Sequence, residues 1–150
     1  NERIEAPYWI TSGNFVNISD FMSVGEFMSE LFIDYVDFEL GYKFKKNSFK
    51  ICYLKDFSLQ HTIGNPIEIH LFGKTYHAMN HSPIRYYYRY RNAYYLYHFV
   101  NRQFFKKEYY KEMIVNTLKM FIYEKDRKVK FSMIRKGIQD AKCKKMGKFN

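Results

Sequence analysis

Three carboxylates, Asp34, Asp37 and Glu39, stand close together in the stretch Leu31-Phe32-Ile33-Asp34-Tyr35-Val36-Asp37-Phe38-Glu39-Leu40. A carboxylate held near a nucleophile can take its proton as a general base. The apolar run Leu31 to Ile33 reads as a buried strand end, and Phe38 to Lys46 reads as a helix. Asp37 and Glu39 then fall at or near the helix N-terminus, where free N–H groups and the helix dipole stabilise negative charge. Two readings stay open on these residues. In one, Asp37 is an N-cap and Asp34 a solvated turn residue. In the other, Asp37 is a base presented at the C-terminal end of a strand, where α/β folds place their chemistry.

The elements around this stretch follow in chain order. Ala6 to Ile18 reads as a strand interrupted at Ser12-Gly13, where a glycine marks either a bulge or a close approach by another backbone or a ligand. Ser19 or Asp20 can cap a short helical turn that ends near Gly25, and Asn47-Ser48 closes the helix after Lys46. Phe49 to Ser58 reads as a strand that delivers a loop, Leu59 to Pro66, carrying His61. Ile67 to Phe72 and Thr75 to Met79 form a hairpin through Gly73-Lys74, and Pro83 opens a long helix. From there the pattern is helical almost to the end. Ile84 to Phe104 is crowded with Tyr and Arg, and from Glu108 onward apolar positions recur at helical spacing against a Lys- and Arg-rich face. Gly137 and Gly147 are its weak points. The expected organisation is a domain over residues 1–104 followed by a basic amphipathic helical extension over 105–150.

With 150 residues, 47% of them hydrophobic and 21% aromatic, the chain is long and apolar enough for one folded domain and is not of disordered composition. The net charge of +10 is unevenly spread: residues 1–50 carry 5 basic and 8 acidic side chains, whereas residues 101–150 carry 15 and 5. An anionic partner would be met by the tail. Cys52 and Cys143 stand far apart without a pairing motif, which suits a reducing compartment, with one thiol in the core and one at the surface as the default. The charged start Asn1-Glu2-Arg3-Ile4-Glu5 lacks a signal-peptide pattern, and the uncharged span Ala6 to Ser19 is too short to cross a bilayer. The absence of an initiator Met leads to the expectation that the chain is a piece of a longer protein.

Five segments occur in a telling order: Thr11-Ser12-Gly13, Phe32-Ile33-Asp34-Tyr35-Val36-Asp37-Phe38-Glu39, His61-Thr62-Ile63-Gly64-Asn65, His81-Ser82-Pro83-Ile84-Arg85 and Tyr87-Tyr88-Arg89-Tyr90-Arg91-Asn92. In this order and spacing the chain resembles the C-terminal half of family 2 glycosyltransferases of the rhamnosyltransferase type. The resemblance covers nearly the whole chain and extends to Glu124-Lys125-Asp126-Arg127 and the Lys-rich end.

That resemblance implies an α/β fold: the acceptor-side half of a GT-A mixed sheet with flanking helices, followed by the helical extension. It implies an inverting transferase that moves a sugar, rhamnose being favoured, from a nucleotide diphosphate donor to a bacterial surface polysaccharide such as capsule, or to a lipid-linked acceptor. Asp37 falls where the family has its catalytic base, with Glu39 secondary and Asp34 structural. His61 matches a histidine near the donor diphosphate that completes a divalent-metal site for Mg²⁺ or Mn²⁺. Arg85, Tyr87 and Arg91 match a basic-aromatic element near the diphosphate, to which arginine's planar fork is suited. Thr11, Ser12 and Gly13 would border the acceptor and sugar pocket. The nucleotide-binding half, with the Asp-X-Asp metal motif, has no counterpart here and is expected upstream of Asn1, so this piece alone would be inactive.

Two rival readings concern interaction without catalysis. The interleaved Tyr and Arg from Arg85 to Tyr97 suggest single-stranded nucleic-acid binding. Against it, those tyrosines point all round a helix, so many must be core, and the charge lies mainly after Gln103; no nucleic-acid partner is expected. The basic extension also suits the inner, cytoplasmic face of a membrane, apolar stripe down and lysines toward anionic headgroups. Packing on the catalytic domain or on a second subunit would use the same stripe.

Overall fold

Helices dominate this mixed α/β chain, and its strands form two separate antiparallel pairs. A computed structural model describes residues 3–6, 12–56, 58, 60, 67–71, 73–78 and 80–149. They divide into one unit of residues 1–61 with 147–150 and a second of residues 62–146.

In the first unit, β1 (Arg3–Glu5) pairs with β2 (Cys52–Leu54), Ile4 lying opposite Tyr53. Helix α1 (Ile18–Val24) is capped by Asn17, whose side-chain oxygen accepts the N–H groups of Ser19 and Asp20 at 2.8 and 3.3 Å. The cap expected at Ser19 or Asp20 is therefore two or three positions upstream, and those two residues supply the donors. Gly25, at φ 85°, ends the helix as expected. Helix α2 (Val36–Lys46) buries Leu40 and Phe44 against Phe21, Val24, Phe49 and Ile51. It carries Asp37 and Glu39 in its first turn and Lys43, Lys45 and Lys46 in its last, the arrangement that its dipole favours. Asn47 closes it, with Ser48 at φ 63°.

Several expectations from the sequence are corrected here. Leu31 to Ile33 is not a strand end: Ser29–Leu31 is a single 3₁₀ turn, Phe32 has φ 63°, and Leu31 alone of the three is buried. A residue at positive φ cannot continue a pleated strand. The strand read over Phe49 to Ser58 is confined to Cys52–Leu54. Both cysteines are free and exposed, rather than one in the core. Of the interrupted strand read over Ala6 to Ile18, residues 7–11 lie outside the described residues, and residues 6 and 12–18 are not strand.

The second unit starts with the hairpin β3 (Ile67–Leu71) and β4 (Lys74–Ala78), turning at Gly73 with φ 70°. Pro83 is the first residue of α3 (Pro83–Tyr95), where its missing N–H costs nothing. A π-helical turn (Leu96–Val100) follows, and Asn101 restarts the chain as α4 (Arg102–Tyr110) by accepting the Phe104 N–H at 2.8 Å. A second π segment (Lys111–Asn116) runs into α5 (Thr117–Tyr123), and α6 (Arg127–Lys142) folds back along α3. Tyr86, Tyr90, Met120 and Ile134 form the core, with Met113 and Ile138 packed on it.

Gly137 is not the weak point that the sequence suggests. A Cβ there would stand 2.4 Å from the carbonyl oxygen of Tyr87 and 3.3 Å from the backbone nitrogen of Arg91, so glycine is what lets α6 approach α3. Among the described residues, no helix is long and apolar enough to cross a membrane.

Candidate functional site

The turn before α2 is the most contorted backbone in its unit. Phe32, Asp34 and Tyr35 have φ of 63°, 61° and 68°, and Tyr35 is the residue from which α2 springs. Asparagine and aspartate visit this region with little strain, but phenylalanine and tyrosine do so only where the surroundings impose it. The tyrosine ring is buried and tilts against Phe38 at 5.3 Å, which locks the turn. Asp37 is thereby set as the second residue of the helix rather than as its cap. Its Oδ1 accepts the N–H of Phe38 at 3.0 Å. Half-burial pushes the Asp37 carboxyl above its ordinary range; the backbone N–H groups pull it back, and the nearby Asp34 charge pushes it further up. A more basic carboxylate is the better proton acceptor.

Glu39, two residues on, is buried and pairs with Lys43 across one helical turn at 3.2 Å. Burial raises its carboxyl as well, with Lys43 opposing. Lys43 also donates to the Glu26 carbonyl at 2.6 Å, which ties Glu39 to the loop that follows α1. Ser12 and Gly13 form an exposed turn, Gly13 having φ 73°. Thr11 and His61 lie outside the described residues. Among the described residues no group of three or more His, Cys, Asp or Glu could hold a metal ion, so these residues by themselves do not fit a metal centre.

In the second unit, Arg85, Tyr87 and Arg91 all lie on α3. Arg85 is partly exposed in the first turn. Tyr87 is buried and donates its hydroxyl to Asp140 of α6 at 2.9 Å. Arg91 has no exposed surface: its guanidinium lies 5.4 and 5.0 Å from the ring centres of Tyr87 and Tyr88, and its Nε donates to Asn92 Oδ1 at 3.0 Å. Cation–π contact and hydrogen bonding compensate the buried charge.

Sequence reasoning missed the buried polar network beside this helix. Glu124 Oε1 accepts from the Tyr86 hydroxyl at 2.7 Å and the Asn80 N–H at 3.0 Å, and Oε2 pairs with Lys130 Nζ at 2.8 Å. Lys130 also donates to Asn80 Oδ1 at 3.2 Å. Arg89 pairs with the buried Glu112, whose carbonyl accepts the hydroxyls of Tyr90 at 2.8 Å and Thr117 at 3.1 Å. His81, Tyr86, Arg89, Glu112, Asn116 and Glu124 line a small recess between these pairs. Burial and the adjacent Glu124 carboxylate hold the Tyr86 phenol far above its ordinary value. That leaves it a hydrogen-bond donor at any ordinary pH.

Comparison of the chain with protein-family models, with curated proteins and with solved structures gives no match. Function therefore rests on the residues and their geometry.

Proposed function

We propose that this chain is the acceptor-side half of a GT-A, family 2 inverting glycosyltransferase, rhamnosyltransferase-like, that works in bacterial surface-polysaccharide synthesis at the inner face of the cell membrane. The observation that carries the reading is the left-handed Phe32–Tyr35 turn, which delivers a half-buried Asp37 with a raised pKa to the start of α2. Positive-φ backbone at phenylalanine and tyrosine costs on the order of 1–3 kcal/mol each, and strain of this kind clusters at active sites. The ordered motifs that run from Ser12 to Arg91 point the same way.

In this reading the Asp37 carboxylate takes the proton of the acceptor hydroxyl as its oxygen forms a bond to the anomeric carbon. The bond from that carbon to the donor diphosphate breaks, and the diphosphate leaves with the electron pair from the opposite face, so the configuration inverts. Glu39 and Lys43 brace the helix that carries the base. Arg85, partly exposed in the first turn of α3, takes the role of diphosphate contact. Arg91 and Tyr87, buried against α6, position that helix. In this reading the main ligands of a divalent metal belong to a nucleotide-binding half, with His61 as their complement.

The test is donor turnover by this chain joined to its nucleotide-binding half, with a saccharide acceptor, comparing wild type with Asp37→Asn. Loss of the base should cost at least ~10²-fold in rate with donor binding retained. Near-normal turnover would remove Asp37 from the chemistry and leave Asp34 or Glu39 as the base. No turnover of any nucleotide sugar by the wild type would overturn the reading.

A further inference from the structure

The second unit carries an apolar face that its own core does not use. Ile114, Leu118 and Ile122 recur at four-residue intervals along the helical run from the second π segment into α5, with Phe121 beside them. Phe131 of α6 continues the patch, its ring lying 5.3 Å from that of Phe121. These are large side chains left in water: Leu118 is 56% exposed and Ile122 58%. Met120, on the opposite side of the same helix, is fully buried, so the helix has an inner apolar contact and a second, outer one.

The charge around this face has one sign. After Asn101, Glu108, Glu112, Glu124 and Asp140 are all buried, and among the described residues only Asp126 presents a carboxylate to solvent there. Lys106, Lys107, Lys111, Lys125, Lys128 and Arg135 are exposed. The inward turning of the acids strips the surface of its compensating charge and leaves it more basic than the composition alone indicates. An apolar stripe edged by lysines matches an anionic bilayer, whose acyl region takes the stripe and whose headgroups take the cations. A soluble protein partner would require an acidic rim, and a second copy of this face would bring lysine against lysine.

We infer that this face docks the protein on an anionic lipid surface, with Leu118 and Ile122 inserted and Lys125 and Lys128 on the headgroups. The inference extends the location given in the proposed function but needs neither donor nor transfer. Its failure would leave the transferase reading standing, and failure of sugar transfer would leave the docking face standing.

The experiment is sedimentation of the 150-residue chain with vesicles of phosphatidylcholine alone or with about one-third phosphatidylglycerol. Binding should require the anionic lipid and weaken as salt rises through the range where the screening length falls below about 10 Å. Leu118→Ser with Ile122→Ser should weaken vesicle binding at least ~10-fold, and Lys125→Glu with Lys128→Glu at least ~10-fold as well. All four side chains are exposed, so thermal unfolding should match wild type in both variants and serves as the control. Equal binding to neutral vesicles, no binding, or unchanged binding by both variants would overturn the inference. So would self-association, or binding to single-stranded oligonucleotides, that both variants abolish while vesicle binding is absent.

Discussion

Asp37 and Asp140 are the same residue type, both withdrawn from water near helix ends, and the two units treat them in opposite ways. Burial pushes each carboxyl upward. At Asp140 the hydrogen bonds from Lys136, at 2.8 Å, and from the Tyr87 hydroxyl outweigh burial and bring it below the ordinary aspartate value. At Asp37 the hydrogen bonds from backbone N–H groups do not outweigh burial, the neighbouring Asp34 charge adds to it, and the carboxyl stays raised. A buried carboxylate given a cation and a hydroxyl is doing structural work. One left basic, at the end of a strained turn, is held at a cost that its own unit does not recover, which is the usual mark of a site kept for chemistry.

In the second unit Glu124, Lys130, Glu112 and Arg91 are buried charges with partners on a neighbouring element or an adjacent ring, the part-buried Arg89 being that of Glu112. The largest expected effect comes from breaking one such pair. Lys130→Met leaves Glu124 ionised and buried with only the Tyr86 hydroxyl and the Asn80 N–H, and should cost about 3–5 kcal/mol in urea unfolding. Adding Glu124→Leu to that variant should recover much of the loss, because an apolar pair of similar volume replaces an ion pair at little net cost. If the single and double variants are equally unstable, the ion pair itself, rather than its compensation, holds the unit together.

A smaller effect tests the close approach of α6 to α3. Glycine inside a helix ordinarily costs up to ~1 kcal/mol relative to alanine, so Gly137→Ala would be stabilising on an open face. Here the new methyl would meet backbone atoms of Tyr87 and Arg91, which cannot swing aside as a side chain can. The expected result is a loss of about 1–3 kcal/mol, read from chemical unfolding, and a gain would mean that the helices separate easily.

These residues also show how far the sequence alone reached. The hairpin at Gly73, the Pro83 start, the Gly25 stop and α2 were legible because local rules decide them: a left-handed turn, a missing N–H, a first-turn acid. The Asn17 cap was missed by two or three positions because Asn17, Ser19 and Asp20 are all competent caps and only backbone geometry chooses among them. The Leu31 to Ile33 run was misread because an apolar triplet is equally compatible with a strand end and with a 3₁₀ turn. For the site, Asp37 and its helix were visible, but its raised pKa was not, since that depends on what covers it. Arg91 reads as a phosphate-binding arginine until Tyr87, Tyr88 and Asn92 are seen to enclose it. Glu124 and Lys130 were invisible as a pair, because their partners Tyr86 and Asn80 lie about forty residues upstream.

The smallest effect bears most directly on the comparison. Asp140 has a depressed folded value, so its contribution to stability is present above the ordinary aspartate value of 3.8 and is lost as pH falls through the depressed one. Asp37 has a raised folded value, so its charge subtracts stability at neutral pH, and the penalty vanishes as pH falls through the raised value toward 3.8. Asp140→Asn should therefore destabilise the chain at pH 7 by about 1 kcal/mol, whereas Asp37→Asn should leave stability unchanged or slightly raised. Followed by urea unfolding down the pH scale, the Asp37→Asn difference should close first, and the Asp140→Asn difference should persist until the pH is below 3.8. If Asp37→Asn destabilises the chain at pH 7 as Asp140→Asn does, then Asp37 is held by partners of its own. The contrast that singles it out as a base would then disappear, and Glu39, whose carboxyl is also raised by burial, would take its place as the acid kept basic by the fold.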